Sequence, residues 1–160
     1  MTARTSAAAG PTDRILVIER VFDAPPELVF KAWTEREAIM RWMAPTGFTI
    51  PSCDGDLRPG GAWRMSMRTP DGAELRLEGV YREIVPPRRL VFTHVWLDGD
   101  GRPGHETLVT VTFADRGGKT ALTFQQAVFE SQAERDAHRG GWTECFDRLG
   151  AYLDHPAASE

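Results

Sequence analysis

The sequence predicts an α+β domain in which a curved antiparallel sheet wraps a long C-terminal helix. Two observations carry that expectation. From Phe48 to Gln126 the chain reads as short alternating strands separated by hairpin turns, the pattern of an antiparallel meander. From Ser131 to about Asp154 it reads as one helix. Its Trp142, Cys145, Phe146, Leu149, Tyr152 and Leu153 fall on one face at the 3.6-residue period. A helix with one aromatic-rich face needs a broad apolar surface to lie on, and the strands supply it.

The elements follow in order. Arg14 to Phe22 is β-rich and alternates imperfectly, as a first strand partly buried on both faces would. Asp23 or Ala24 caps the next helix, with Pro25 in its first turn. Leu28, Val29, Ala32 and Trp33 recur there at helical spacing. Glu35 to Trp42 is a second short helix, closed by Ala44-Pro-Thr-Gly47. Phe48 to Leu57 is a strand interrupted by Pro51, and Arg58-Pro-Gly-Gly61 is a tight turn in which one glycine takes a positive φ. Ala62 to Thr69 alternates Trp63, Met65 and Met67 against Arg64, Ser66 and Arg68, which form a solvated outer face. Pro70-Asp71-Gly72 turns the chain into a strand carrying Leu75, Leu77 and Tyr81, which ends near Ile84 before Pro86-Pro87. Leu90, Phe92, His94 and Trp96 share a face of the next strand. Asp98-Gly-Asp-Gly101 leads to Thr107, Val109, Val111 and Phe113. Gly117-Gly118 leads to Leu122, Phe124 and Gln126. The last helix opens on Ser131-Gln-Ala-Glu134, a capping-box pattern. Its opposite face carries Glu144, Asp147, Arg148, Ala151 and Asp154.

The chain of 160 residues is one domain by length. It spans 14–154, with a disordered N-terminal tail at 1–13 and a C-terminal tail at 155–160. A net charge of −4 leaves no basic footprint for nucleic acid. No apolar run reaches the length of a membrane span, and the N-terminus lacks a signal-type apolar stretch. Cys53 and Cys145 stand alone, Cys145 on the apolar helix face, so a reducing cytoplasm suits the chain better than a disulfide framework.

Several segments coincide in order and separation: APPELVFKAWTE, RWMAPTGFT, DLRPGGAWRM, GVYREIVPPRRLVFT and GGWTECFDRLGAYL. Together they resemble the bacterial family named after the C-terminal domain of the activator of Hsp90 ATPase, within the START/Bet v 1-like (SRPBCC) superfamily. The resemblance runs from about Ile15 to Leu153. It implies the helix-grip fold, with a cavity between sheet and C-terminal helix. It transfers no catalytic residue, because the matching motifs are turns, caps and core aromatics.

The face expected to look onto the helix is apolar, aromatic and flexible. The candidate ligand-binding residues are Trp63, Met65 and Met67, then Phe92, His94 and Trp96, then Phe124, Gln126, Trp142 and Phe146. Thioethers and indoles make a looser filling than Leu, Ile and Val. His94 and Gln126 are polar on a face that is otherwise apolar, as in small-molecule pockets. The cavity is expected beneath Trp142. Gly140-Gly141 there marks a kink, a close packing against the first helices, or a mouth that opens.

The histidines His94, His105, His138 and His155 have no metal-ligand spacing, and the Asp-Gly turns lack the calcium-loop pattern, so no metal and no cofactor is expected. If any histidine moves a proton it is His94, whose dry face would shift its pKa near neutrality.

Binding of a small apolar or aromatic molecule, for transport, sequestration or sensing, is the favoured reading. The resemblance also implies an alternative, an enzyme of cyclase or hydrolase type as some relatives in the superfamily are, for which His94 with Gln126 would be the polar pair. The family name also suggests an Hsp90-directed interaction role. Eukaryotic activators carry an additional N-terminal Hsp90-binding domain, whereas a short tail precedes the first strand here, so that role is the least expected. No nucleic-acid or membrane partner is expected, and a homodimer is left open.

Overall fold

A computed structural model describes residues 13–154. The tails expected at 1–13 and 155–160, His155 included, lie outside the described residues except for Asp13. The chain order is β1 (Leu16–Phe22), α1 (Pro26–Thr34), α2 (Arg36–Trp42), β2 (Thr49–Gly55), β3 (Ala62–Arg68), β4 (Glu74–Val85), β5 (Arg89–Leu97), β6 (Pro103–Arg116), β7 (Lys119–Ala127) and α3 (Gln132–Asp154). The strands form one sheet in the order β1-β7-β6-β5-β4-β3-β2, antiparallel throughout. From β2 to β7 each strand pairs with its successor, and β1 closes onto β7. This is the helix-grip arrangement that the resemblance implies.

β1 corrects one expectation. Leu16 and Phe22 are buried, but Val17 and Val21 are 40% and 53% exposed. The strand lies at the sheet edge and buries one face only, so its apolar run does not mean two-sided burial. The start of α1 corrects another. Pro25 occupies the N-cap position in extended conformation with no side-chain cap, and Pro26 takes the first helical position. A proline there loses nothing, because that N–H has no intrahelical partner anyway. The Pro25 carbonyl accepts from Leu28 and Val29 at 3.0 and 3.1 Å.

The turns behave as their residues dictate. Gly60 has φ +87°, the left-handed region where a Cβ is strained. Gly61 is required for a different reason: a Cβ there would lie 2.0 Å from the Asp56 carbonyl oxygen. Pro51, which has no N–H to give a ladder, sits where the β2–β3 register shifts between Thr49 and Ser52. On the outer face of β3, Arg64 and Arg68 are exposed, but Ser66 is buried, its hydroxyl 2.8 Å from that of Ser52. The fully solvated face expected here therefore excludes Ser66. A hydroxyl paired across strands can lie under its longer neighbours.

α3 begins as its sequence requires. The Ser131 hydroxyl accepts the Glu134 N–H at 3.1 Å, capping one of the free donors of the first turn. Trp142, Cys145, Phe146, Leu149 and Leu153 are its buried residues. Phe146 meets Phe22 edge-on at 6.3 Å and Phe124 at 5.5 Å. Trp33 of α1 sits at the centre of the aromatic core, 4.8 Å from Trp42 and stacked at 6.0 Å on Trp142. Arg148, expected on the solvated helix face, is half-buried instead. Its guanidinium donates to the carbonyls of Ala44, Arg41 and Pro45 at 2.6, 3.1 and 3.3 Å. It thus supplies donors to the carbonyls left over at the end of α2. Glu144 accepts the Thr46 N–H at 3.0 Å, so two residues of α3 hold the loop after α2.

Candidate functional site

From Gln132 to Gly141 no residue of α3 is fully buried. Under this part of the helix lies a chamber of about 250 Å³. β3 contributes Trp63, Met65 and Met67, because alternate residues of a strand point to one side. β5 contributes Phe92, His94 and Trp96 by the same rule. Trp142 and Cys145 come from α3. The loop after α2 adds Met43, Pro45 and Phe48, all half-buried, and Ala137 on α3 is exposed, so the chamber meets solvent between loop and helix. Gly141 belongs to this rim. A Cβ there would lie 3.9 Å from Pro45. That is ordinary van der Waals contact, and a Cβ at Gly140 would meet nothing within 4 Å, so neither glycine is required by close packing.

Trp63 owes its position to Gly79, its partner across β3 and β4. Any Cβ at Gly79 would lie 1.8 Å from the Thr93 carbonyl oxygen and 2.5 Å from Trp63 Nε1. With that space empty, the Trp63 indole donates to the Thr93 carbonyl at 3.2 Å. The other chamber indoles are also engaged. Trp142 donates to Gln126 Oε1 at 2.8 Å, and Gln126 Nε2 donates to the Thr107 hydroxyl at 2.9 Å. Thr107 in turn donates to the His94 carbonyl at 3.3 Å. Trp96 donates to His138 Nε2 at 2.9 Å, so that nitrogen is an acceptor. His138 Nδ1 therefore carries the proton and donates to the Glu134 carbonyl at 2.8 Å.

His94 stands apart. It is 4% exposed, and no other described residue hydrogen-bonds its imidazole. Its ring lies among Trp63, Trp96, Trp142 and His138 at 5.4–6.5 Å. Burial, and next the proximity of His138, push its pKa down to about 3. The near-neutral titration expected of it is therefore corrected: a fully dry site suppresses the imidazolium rather than tuning it. The imidazole is hydrogen-bonded to its own backbone, so neutral His94 has one ring nitrogen left for the chamber, an acceptor.

Seven of the ten candidate residues form the chamber wall: Trp63, Met65, Met67, Phe92, His94, Trp96 and Trp142. Phe124 and Phe146 lie behind Trp142 in the fully buried core. Gln126 is fully buried too, its amide committed to Trp142 and Thr107, so the structure does not pair it with His94 for chemistry. Met43 and Pro45 were not legible as wall residues, since a loop has no period to read, and Phe48, expected to begin a strand, lies in that loop just before β2. His138, half-buried and hydrogen-bonded at both ring nitrogens, also forms part of the wall. The Cys145 thiol is also in the wall, its pKa pushed up to about 12 by burial, which leaves it a protonated apolar group. Among the described residues no three His, Cys, Asp or Glu side chains are placed to hold a metal ion, and no helix is long and apolar enough to cross a membrane.

A family model described as Activator of Hsp90 ATPase homolog 1-like protein matches residues 23–154. Solved bacterial structures share the fold. One from Chromobacterium violaceum is 26% identical with a TM-score of 0.81, covering 88% of this chain and 96% of that one. A protein bearing the family's name from Silicibacter pomeroyi is 27% identical with a TM-score of 0.80, covering 88% and 97%. One from Rhizobium leguminosarum is 30% identical with a TM-score of 0.74, covering 88% and 94%. A comparison with curated proteins returned no match.

Proposed function

The chain belongs to the Activator of Hsp90 ATPase homolog 1-like family, and from that premise we propose that it binds a small apolar or aromatic molecule in the chamber beneath Trp142. The role is carriage, sequestration or sensing, and it needs no metal or cofactor. One observation carries the reading. The wall is built mainly of indoles, thioethers, two phenyl rings and two leucines, its three indole N–H groups are already engaged, and one nitrogen of the buried His94 imidazole is left for a ligand. Such a wall gains by excluding water and fixes orientation with one polar group. Proteins of this fold superfamily commonly bind hydrophobic ligands. An apolar cavity of ~150 Å³ takes up benzene, so about 250 Å³ suits a fused pair of rings. The catalytic alternative loses its proposed pair, because Gln126 is committed and His94 is too weak a base near pH 7.

The test is a thermal-shift titration with naphthalene. A ligand that binds only the native state raises the melting temperature by mass action. Wild type and Arg68→Ala, on the opposite sheet face, are expected to respond alike. Met67→Trp, which fills the chamber, is expected to lose the response while still folding. A response unchanged in Met67→Trp would place binding elsewhere.

A further inference from the structure

A second cavity, of about 170 Å³, lies behind the first. Met43, Met65, Trp63 and Phe92 wall both, so they form the partition. The second space runs between α2 and the sheet, from Leu57 and Arg36 at its outer end to Leu90 and Trp33 at its depth. Arg36 and Leu57 are exposed, whereas Leu90 and Trp33 are 0% and 1% exposed.

Trp33 supplies the decisive feature. Its indole N–H is the one buried side-chain polar atom without a hydrogen-bond partner among the described residues. The Trp42 ring lies edge-on to it at 4.8 Å, and a π face is a weak acceptor. A buried donor left unmet is costly, and Trp33 is one of the residues that line the second cavity. Tyr81 is on the same wall. Burial pushes its pKa up to about 12, so it stays protonated and able to donate.

We propose that the two cavities are one bipartite site whose ligand places an aromatic body beneath Trp142 and sends a neutral oxygen acceptor, a carbonyl or ether, past the methionines to the Trp33 N–H. This rests on the reading that the first chamber binds apolar molecules. The partition can yield because Met43 and Met65 are unbranched and flexible. The acceptor is neutral because a lone N–H in an aromatic shell cannot offset the burial of a carboxylate. The cation nearest the second cavity, Arg36, is exposed and already donates through Nε to the Cys53 carbonyl at 2.7 Å. Asp54, also on that wall, opposes an anion.

The test compares para-acetylbiphenyl with its near-isostere para-isopropylbiphenyl, and both with naphthalene, by calorimetric titration. Wild type is expected to bind the ketone about tenfold more tightly than the hydrocarbon, the usual consequence of leaving a buried donor unmet. In Trp33→Phe the two biphenyls should bind alike, with naphthalene affinity retained. Leu57→Trp, at an exposed position, fills the outer end of the second cavity. It should weaken both biphenyls and spare naphthalene, which decides the matter even if Trp33→Phe fails to fold. An undiminished ketone preference in Trp33→Phe, or unaltered biphenyl binding in Leu57→Trp, would overturn the bipartite site and leave the first chamber standing. Failure of naphthalene to bind wild type would instead strike the reading on which this one rests.

Discussion

The indole N–H of Trp142 donates to Gln126 Oε1 at 2.8 Å, tying the roof of the chamber to the sheet beneath it. The same glutamine donates to Thr107, so one buried amide meets two groups from different elements. Gln126→Leu leaves the Trp142 N–H and the Thr107 hydroxyl without that partner. The expected loss is about 1–3 kcal/mol in urea unfolding. Naphthalene affinity should hold, because Gln126 lies outside the chamber wall. A large loss of affinity with no loss of stability would give Gln126 a direct role in binding.

Phe146 is fully buried between α3 and the sheet. Phe146→Ala should cost about 3–5 kcal/mol, the usual range for truncating a large core aromatic. Chemical denaturation measures it. A loss below about 1 kcal/mol would mean that the helix face is misassigned.

The turn between β2 and β3 needs both its glycines for separate reasons. Gly61→Ala drives a Cβ into the Asp56 carbonyl and should destabilise by several kcal/mol or prevent folding. Gly60→Ala meets no atom within 4 Å and pays only for its positive φ, about 1 kcal/mol. Equal effects at the two positions would contradict this division.

His94 makes stability depend on pH in a defined direction. Its native pKa is lowered from 6.5 to about 3. The unfolded chain therefore binds a proton on acidification that the folded chain refuses. The stability tied to neutral His94 is complete above pH ~6.5 and is lost as pH falls towards 3, by up to about 1.4 kcal/mol per pH unit. His94→Leu should flatten this part of the curve between pH 7 and 4. Denaturant unfolding across that range checks it, and an unchanged slope in the variant would show that other groups set the acid limit.

How far the sequence could be read depends on periodicity. Trp63, Met65, Met67, Phe92, His94 and Trp96 were legible as one surface because strand alternation fixes the side each takes. The helix stripe at Trp142 and Phe146 was legible for the same kind of reason. The sequence showed that His94 and Gln126 were unusual but not which was free, since only the fold brings Thr107 and Trp142 to the glutamine. Gly79 reads as an ordinary strand residue, and its need appears only where Thr93 and Trp63 meet over it. Arg148 looked solvated because the carbonyls it caps lie at the end of α2 and in the loop after it, more than a hundred positions away in the chain.

The central claim is that the chamber beneath Trp142 takes up an apolar molecule. Intermolecular NMR contacts between naphthalene and methyl-labelled methionines test it most directly. The account predicts saturable binding tighter than about 1 mM, roughly 4 kcal/mol, with contacts from the ligand to the Met65 and Met67 methyls and to the Trp142 ring. Contacts confined to exposed Val17 and Val21, or no saturable binding below that concentration, would contradict it.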